Sequence, residues 1–480
     1  LSEIRSLPHS LFLQQLFTGL AACLVLFAPG SWSASPSLST ILPRGAPRGA
    51  TTEVIFQGSS LEDAVDVLFH QTGIQLRNLM VVDPQQVKCV FEIAATTPLG
   101  TQAVRLRTRS GLSNLVLFSV GNLKEVNESE PNGEPGTAQG IDLNTTVNGT
   151  ITSEDLDFFA VDLAVGARIA VEIEALRLGG ALFDPKLRFF DPTGHELVAE
   201  DDTCLLAQDA AFVQEAGSAG RYHIAVSEAA YGGGSSDYYR LHVGTFPRPL
   251  SVTPRGGVAG SSVEVSWLGD PGIGKQPLDL PAGEPGKTVS VPVANDQGQA
   301  PTPVRFRLGG SPSIAEVEPN NQPDQATAGP AAGPFEGTLS EPGDEDWFQF
   351  EGQAGQVLDV RVWARDLGSP LDSLIRVTGP SGGDLLSDDD SSGMDSSGRI
   401  TLAEAGAHRI SVRDHLGRGG PWFTYRVELA PVQPRLEMSL AENKPVMLSV
   451  PRGNQALLLL TAKRSDFGGF LKVGFGGLPP

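Results

Sequence analysis

Glu316-Val317-Glu318-Pro319-Asn320-Asn321 sets alternate carboxylates along a short segment, and Glu128-Ser129-Glu130-Pro131-Asn132 repeats the arrangement about 190 residues earlier. Such side chains offer hard oxygens and little else. They either solvate a Pro-stiffened linker or hold a hard cation such as Ca²⁺, which takes about six to eight oxygens. The composition leans the same way, with 56 Asp and Glu against 35 Lys and Arg and a formal charge of −21. That excess serves solubility or supplies calcium ligands. It argues against nucleic acid as a partner, because phosphate binding requires clustered Lys and Arg. Asp201, Asp202 and Asp209, with Asp388, Asp389, Asp390 and Asp395, form a further acidic loop in each half, read as exposed turns or as a second metal site.

Other chemistry is poorly supplied. Gly379-Pro380-Ser381-Gly382-Gly383 satisfies the Gly-x-Ser-x-Gly pattern, but a nucleophile elbow needs a strand before it and a helix after it. The matching position in the first half is the turn Asp191-Pro192-Thr193-Gly194, so a hairpin is expected instead. His195-Glu196 lacks a second His at zinc-protease spacing, Gly286-Lys287-Thr288 has Pro281 where a phosphate-cradling Gly-x-x-x-x-Gly-Lys-Ser/Thr loop needs its first Gly, and there is no Cys-x-x-Cys pair. The chain is therefore expected to contain no catalytic constellation.

The elements that would position these carboxylates come in two copies. Asp155-Leu156-Asp157-Phe158-Phe159 answers to Asp344-Glu345-Asp346-Trp347-Phe348, Ala164-Val165-Gly166 to Ala354-Gly355, and Gly220-Arg221-Tyr222 to Gly406-Ala407-His408. Each copy ends in a Gly-rich turn and an aromatic strand, at Tyr238-Tyr239-Arg240-Leu241 and Phe423-Thr424-Tyr425-Arg426-Val427. A weaker repeat precedes each copy, with Leu42-Pro43-Arg44-Gly45 matching Thr253-Pro254-Arg255-Gly256. Period-two runs such as Arg168 to Ala175 and Val357 to Val362, punctuated by Gly, Pro and Asp turns, read as antiparallel strands. Only Leu61 to Phe69 offers a plausible helix. The expected fold class is all-β and multi-domain, built of sandwiches or jelly rolls.

The N-terminus reads as an export signal over residues 1–34, with Arg5 before an apolar run from Leu16 to Phe27 and small residues at Ser31, Ser33 and Ala34. That run is too short for a comfortable membrane span. Leu20-Ala21-Ala22-Cys23 also fits a lipobox, which would anchor the protein through Cys23. Beyond the signal only Cys89 and Cys204 remain, without the spacing of a disulfide framework. No segment of the mature chain is apolar enough to cross a bilayer.

Residues 125–246 and 314–431 resemble bacterial pre-peptidase C-terminal domains. The likeness rests on the Glu-x-Glu-Pro-Asn opening, the Asp-x-Asp-aromatic-Phe strand, the Ala-x-Gly turn, the Asp-Asp loop and the Gly-x-Tyr/His-x-Ile-x-Val strand. Residues 35–122 and 247–312 resemble immunoglobulin-like modules, and residues 432–480 read as an incomplete β module, of a longer polypeptide or one that borrows a partner. Related collagen-binding domains hold Ca²⁺ with the opening segment and the acidic strand. Carried over by motif, the resemblance implies ligands Glu316, Glu318, Asn320, Asn321, Asp344 and Asp346 in the second copy, and Glu128, Glu130, Asn132, Asp155 and Asp157 in the first. The first copy departs from the pattern at Gly133, where the family often supplies Asp or Asn. The resemblance implies a secreted or cell-envelope protein whose Ca²⁺-stabilised modules act as spacers or bind an extracellular polymer or protein. Alternatives are an accessory region of a larger secreted peptidase or other hydrolase, and a carbohydrate-binding module, for which Tyr231, Tyr238 and Tyr239, or Trp422 and Phe423, are the candidate aromatics, although their match to an ordinary final strand favours core packing.

Overall fold

The computed structural model describes residues 35–440 and 457–474. The signal segment 1–34 with Cys23, and the run Pro445 to Val450, lie outside the described residues. Among the described residues strands account for nearly all regular structure, with three single-turn 3-10 helices, and no helix is long and apolar enough to cross a membrane.

Residues 145 to 243 and 335 to 429 enclose two separate apolar cores, each between two five-stranded sheets. In the first sandwich one sheet runs Gln139–Gly140, Asp157–Leu163, Gly220–Glu228, Pro185–Phe190, Glu196–Glu200. The facing sheet runs Ala211–Glu215, Arg168–Glu174, Tyr238–Gly244, Thr145–Thr150, Lys124–Asn127. The second sandwich repeats both orders, as Thr327–Gly329, Glu345–Gly352, Gly406–Asp414, Ser373–Thr378, Asp384–Asp388, and as Ser397–Thr401, Val357–Trp363, Thr424–Pro431, Gly333–Thr338, Ile314–Ala315. Directions repeat too: in both, the strand of each sheet that comes first in the chain (Gln139–Gly140, Lys124–Asn127, Thr327–Gly329 and Ile314–Ala315) pairs parallel with its neighbour and the other pairs are antiparallel. Alternation produces this, since Ile169, Val171 and Ile173 face one core and Leu358, Val360 and Val362 the other.

Two smaller sandwiches precede these. The first packs Phe91 edge-on against Phe56, Phe69 and Phe118, at centroid distances of 6.1, 5.0 and 5.6 Å. Here the helix expected over Leu61 to Phe69 is corrected: Ala64–Phe69 is a strand, antiparallel to Gly100–Thr108. Val65, Val67 and Phe69 are β-branched or aromatic, and a ladder plus the Phe69–Phe91 contact outweighs weak helical patterning. The second small sandwich has three-stranded sheets and shares a core with Phe246 and Ala170.

The small and large sandwiches are pinned together alike at both junctions. Arg44 donates to the carbonyls of Leu178 and Gly179 at 2.5 and 2.6 Å. Arg255, fully buried, donates to the carbonyl of Leu367 at 3.0 Å. These carbonyls end the 3-10 turns Leu176–Leu178 and Arg365–Leu367. Gly45 and Gly256 follow the two arginines, and a Cβ on either would overlap the guanidinium of Arg240 or Arg426. Arg435–Leu440 pairs antiparallel with Leu460–Ser465 in an exposed two-stranded ladder, tied back by Arg399, which donates to Asp466 at 2.6 and 2.9 Å.

Candidate metal centre

In each large sandwich the opening acidic segment crosses from one sheet to the other. Glu128 to Asn132 leaves the strand Lys124–Asn127 and leads toward Gln139–Gly140 in the facing sheet, and Glu316 to Asn320 likewise leads from Ile314–Ala315 toward Thr327–Gly329. Backbone bonds fix both ends of the crossing. Glu128 N donates to Asn148 O at 3.0 Å and Phe158 N to Asn132 O at 2.9 Å; Glu316 N donates to Glu336 O and Trp347 N to Asn320 O, both at 2.9 Å. The segment is thereby held against the first residues of the strands that carry Asp157 and Asp346.

Carboxylates gather at this crossing. Glu316, Glu318 and Asp346 each present an oxygen, all within 4.8 Å of one another, and Glu130, Asp155 and Asp157 do the same in the first copy. A separation of up to about 4.8 Å is what two oxygens on opposite sides of one Ca²⁺ would show at about 2.4 Å each. One oxygen of each group is already engaged. Glu316 Oε1 accepts from Thr338 N at 2.8 Å, Glu318 Oε2 from Asn320 N at 2.9 Å, and Asp346 Oδ2 from the Tyr425 hydroxyl at 2.5 Å. Glu316 Oε2 and Asp344 Oδ1 are buried and unpartnered, as is Asp157 Oδ1 in the first copy. Asn320 is fully buried at the centre of its cluster. With its amide nitrogen turned inward it would donate to Asp346 Oδ1 at 3.1 Å and Glu318 Oε2 at 3.2 Å; with its oxygen inward it faces only acceptors, an arrangement a cation would resolve. Asn132, also fully buried, leaves both side-chain polar atoms without a partner.

The remaining ligand candidates fall at the margin or outside. Asn321 is exposed, which makes Gly133 at the matching position of the first copy unremarkable. Asp344 Oδ2 accepts from Ser340 N at 2.7 Å and so also closes a turn, as does Asp155, itself a member of the first cluster, by accepting from Thr152 N at 3.1 Å. Glu128 Oε1 accepts from Thr150 N at 2.8 Å and its Oε2 from the Tyr239 hydroxyl at 3.1 Å. The acidic loops serve another purpose at Asp209 and Asp395. Asp395 accepts from Ala364, Arg365 and Asp366 N at 3.0, 2.8 and 3.0 Å, and Asp209 from Ala175 and Leu176 N, so both buried carboxylates hold the 3-10 turns that Arg44 and Arg255 grip.

Two functional pairs escaped sequence reasoning. Tyr239 and Tyr425 reach through the sandwich to donate to Asp157 and Asp346 at 2.6 and 2.5 Å. A Cβ at Gly149 would overlap the Tyr239 hydroxyl and Glu128, and one at Gly337 the Tyr425 hydroxyl and Glu316. The aromatic final strand recurs in both copies, but a ring there reads as core packing, and nothing local to it shows what its hydroxyl meets.

Burial dominates the electrostatics. It pushes Asp157 up to about 8, Asp346 to about 7 and Glu316 to about 9, with neighbouring carboxylates adding to the rise. Burial and the same carboxylates push the Tyr239 and Tyr425 hydroxyls well above their ordinary value, so both stay protonated and donate. Buried like charges without a countercharge are costly when ionised, and a divalent cation would remove that cost. The residues present therefore fit Ca²⁺: oxygen-only donors, with several lone pairs unspent.

The class so defined is a modular all-β protein with two like sandwiches, each carrying an oxygen cluster where its opening segment crosses between sheets. Residues 344–414, within the second sandwich, match the family model of the bacterial pre-peptidase C-terminal domain. Among solved structures, the chain is similar to the pre-peptidase C-terminal domain of a collagenase from Bacillus anthracis, at 17% identity over 23% of this chain and 100% of that one, with a TM-score of 0.19. It is also similar to PliG of Aeromonas hydrophila, a periplasmic inhibitor of g-type lysozyme, at 15% identity over 25% of this chain and 99% of that one, with a TM-score of 0.17. A third is SGBP-B of the Bacteroides ovatus mixed-linkage glucan utilization locus, at 11% identity over 82% of this chain and 73% of that one, with a TM-score of 0.16. No protein of curated function matches the chain.

Proposed function

We propose that this chain is a secreted or cell-envelope protein without catalysis of its own, whose two large sandwiches are Ca²⁺-stabilised spacer and binding modules for an extracellular polymer or protein. The observation that carries the reading is a similar oxygen cluster at the same crossing in two sandwiches of one topology, where the matched pairs Glu130 and Glu318, and Asp157 and Asp346, are joined by Asp155 in the first and by Glu316 in the second. The first sandwich is on this reading a second pre-peptidase C-terminal copy. Calcium at the crossing would fasten the segment that joins each small sandwich to the large one after it, and the Arg44 and Arg255 pins support the same stiffening. Pull-downs of the full chain on immobilised collagen, peptidoglycan and neutral glucans, each with calcium and with chelator, test the binding role. Retention on one matrix that chelator releases is expected; no retention on any matrix in either condition would leave only the spacer role.

A second reading, favoured by the name of the family that matches residues 344–414, makes these modules accessories of an exported peptidase. Recovery of proteolytic activity with the native product, and its absence from the isolated chain, would decide for it.

A further inference from the structure

Away from the oxygen clusters, a cleft of about 800 Å³ opens where the first small sandwich, the first large sandwich and the second small sandwich meet. Its size falls in the range of ligand sites, which favour module junctions. One wall is the strand Thr288–Val291, which among the described residues pairs only with Val304–Gly309 and so ends its three-stranded sheet with an open edge. The direction of its free groups follows from the ladder. Leu308 N donates to Lys287 O, whereas Arg307 N turns the other way to Arg255 O. Alternation then commits the backbone of Val289 and Val291 to the neighbouring strand and leaves the N–H and C=O of Thr288 and Ser290 facing outward. Ser290 is exposed and lines the cleft.

The rest of the lining is apolar or uncharged. Leu99, Pro281, Val289 and Pro303 form stiff apolar walls, while Gln71 and Thr101 offer neutral hydrogen-bonding groups. Among the described residues the only two charges lining it, Glu174 and Arg177, are spent within the protein. Arg177 donates to Glu172, Asp209 and Thr302 at 3.0, 2.5 and 2.9 Å, and Glu174 accepts from Ser119 and Arg240 at 2.9 and 3.1 Å. The cleft therefore offers no unpaired side-chain charge among the described residues with which a charged ligand could pair.

We propose that this cleft binds an extended, uncharged polypeptide segment, which adds as a strand to the open edge at Thr288 and Ser290 and lays alternate side chains against the Pro281 and Pro303 walls. Strand addition takes its affinity from main-chain hydrogen bonds and its selectivity from pockets for alternate side chains, and the cleft has both. No aromatic ring among the described residues lines it, so a stacked sugar is the less favoured occupant.

The test uses the full chain and a pool of blocked, fluorescently labelled decapeptides of Ser, Thr, Val, Gln and Pro, read by anisotropy, with neutral cello- and xylo-oligosaccharides as a parallel arm. Pool members are expected to bind, with slowed hydrogen exchange at the Thr288 and Ser290 amides. Ser290→Pro removes an outward donor without touching a ladder bond and is expected to weaken binding by about tenfold or more. Thr101→Arg, which brings charge into the cleft, is expected to do the same should the proline variant fold poorly. Absence of peptide binding below about millimolar concentration, binding that leaves both amides unprotected, or oligosaccharide binding that Thr101→Arg abolishes while peptides fail, would each overturn the proposal.

Discussion

Asp346→Asn has opposite consequences with and without calcium, and the change of sign is the prediction that exposes the reasoning most. Asp346 is fully buried at the cluster, where burial and the neighbouring Asp344 and Glu318 carboxylates raise it from 3.8 to about 7. A carboxyl raised in the folded state contributes most below its unfolded value and loses that contribution as pH rises through the folded one. At pH 8 without metal, the ionised group therefore costs the second sandwich at most roughly 4 kcal/mol, at about 1.4 kcal/mol for each pH unit that separates the folded value from the unfolded one. The Asn replacement keeps an oxygen to accept from Tyr425 and removes the charge. Relaxation and water entry reduce the gain to about 1–2 kcal/mol, so the variant is expected to melt several degrees above the parent in chelator. Calcium at about 100 times its dissociation constant should stabilise the parent by about 2.7 kcal/mol per site, or on the order of 10 °C for a module of this size. The variant has lost a central ligand and should respond far less, so it then melts below the parent. Scanning calorimetry at pH 8 of both proteins, in chelator and in calcium, reads all four values. A variant less stable in both conditions, or one that responds to calcium as the parent does, would refute the account.

Three further outcomes are expected. Tyr425→Phe removes the 2.5 Å bond to Asp346 and should weaken calcium binding at the second cluster by about 10- to 100-fold, measured by titration calorimetry, while leaving the first cluster unchanged. Without metal the melting temperature should fall as pH rises from about 5 to 9, because the folded values of Asp346, Asp157 and Glu316 near 7, 8 and 9 lie above their unfolded ones, and calcium should flatten that slope in a pH series of melts. Arg255→Ala strips the carbonyl of Leu367 and Thr424 of a donor, yet leaves Glu336 paired with Arg426; it should cost about 1–3 kcal/mol and speed proteolytic cleavage at the second junction, seen on a time-course gel.

The strands were legible because their periodicity is local, as in Arg168–Glu174, where every second residue is a core aliphatic. The acidic crossing was legible because its residues sit within two short runs of each copy, and the structure brings Glu130, Asp155 and Asp157, and Glu316, Glu318 and Asp346, together. Groups that act across the sandwich left no local trace. Tyr425 lies 79 residues from Asp346 and Tyr239 lies 82 from Asp157, and a Tyr on a final strand reads as core whether or not its hydroxyl has a task. Asp201, Asp202 and Asp390 are the exposed turn residues their runs suggest, but Asp209 and Asp395 are buried and misled for the same reason, since the turn that Asp395 caps is about 30 residues away. Arg44 and Arg255 were visible as a repeat, but their grip on the following sandwich is a tertiary fact. Val65 and Val67 show the limit of a weak pattern: of the nine residues that suit a helix, the last six form a strand once Gly100–Thr108 offers a ladder.

Equilibrium dialysis of the full chain against millimolar radiolabelled calcium tests the central claim most directly. The account predicts two ions per chain, one for each cluster, falling to one in Asp346→Asn and to none when Asp157→Asn is added. No bound calcium in the parent, or two ions still held by the doubly substituted chain, would contradict it.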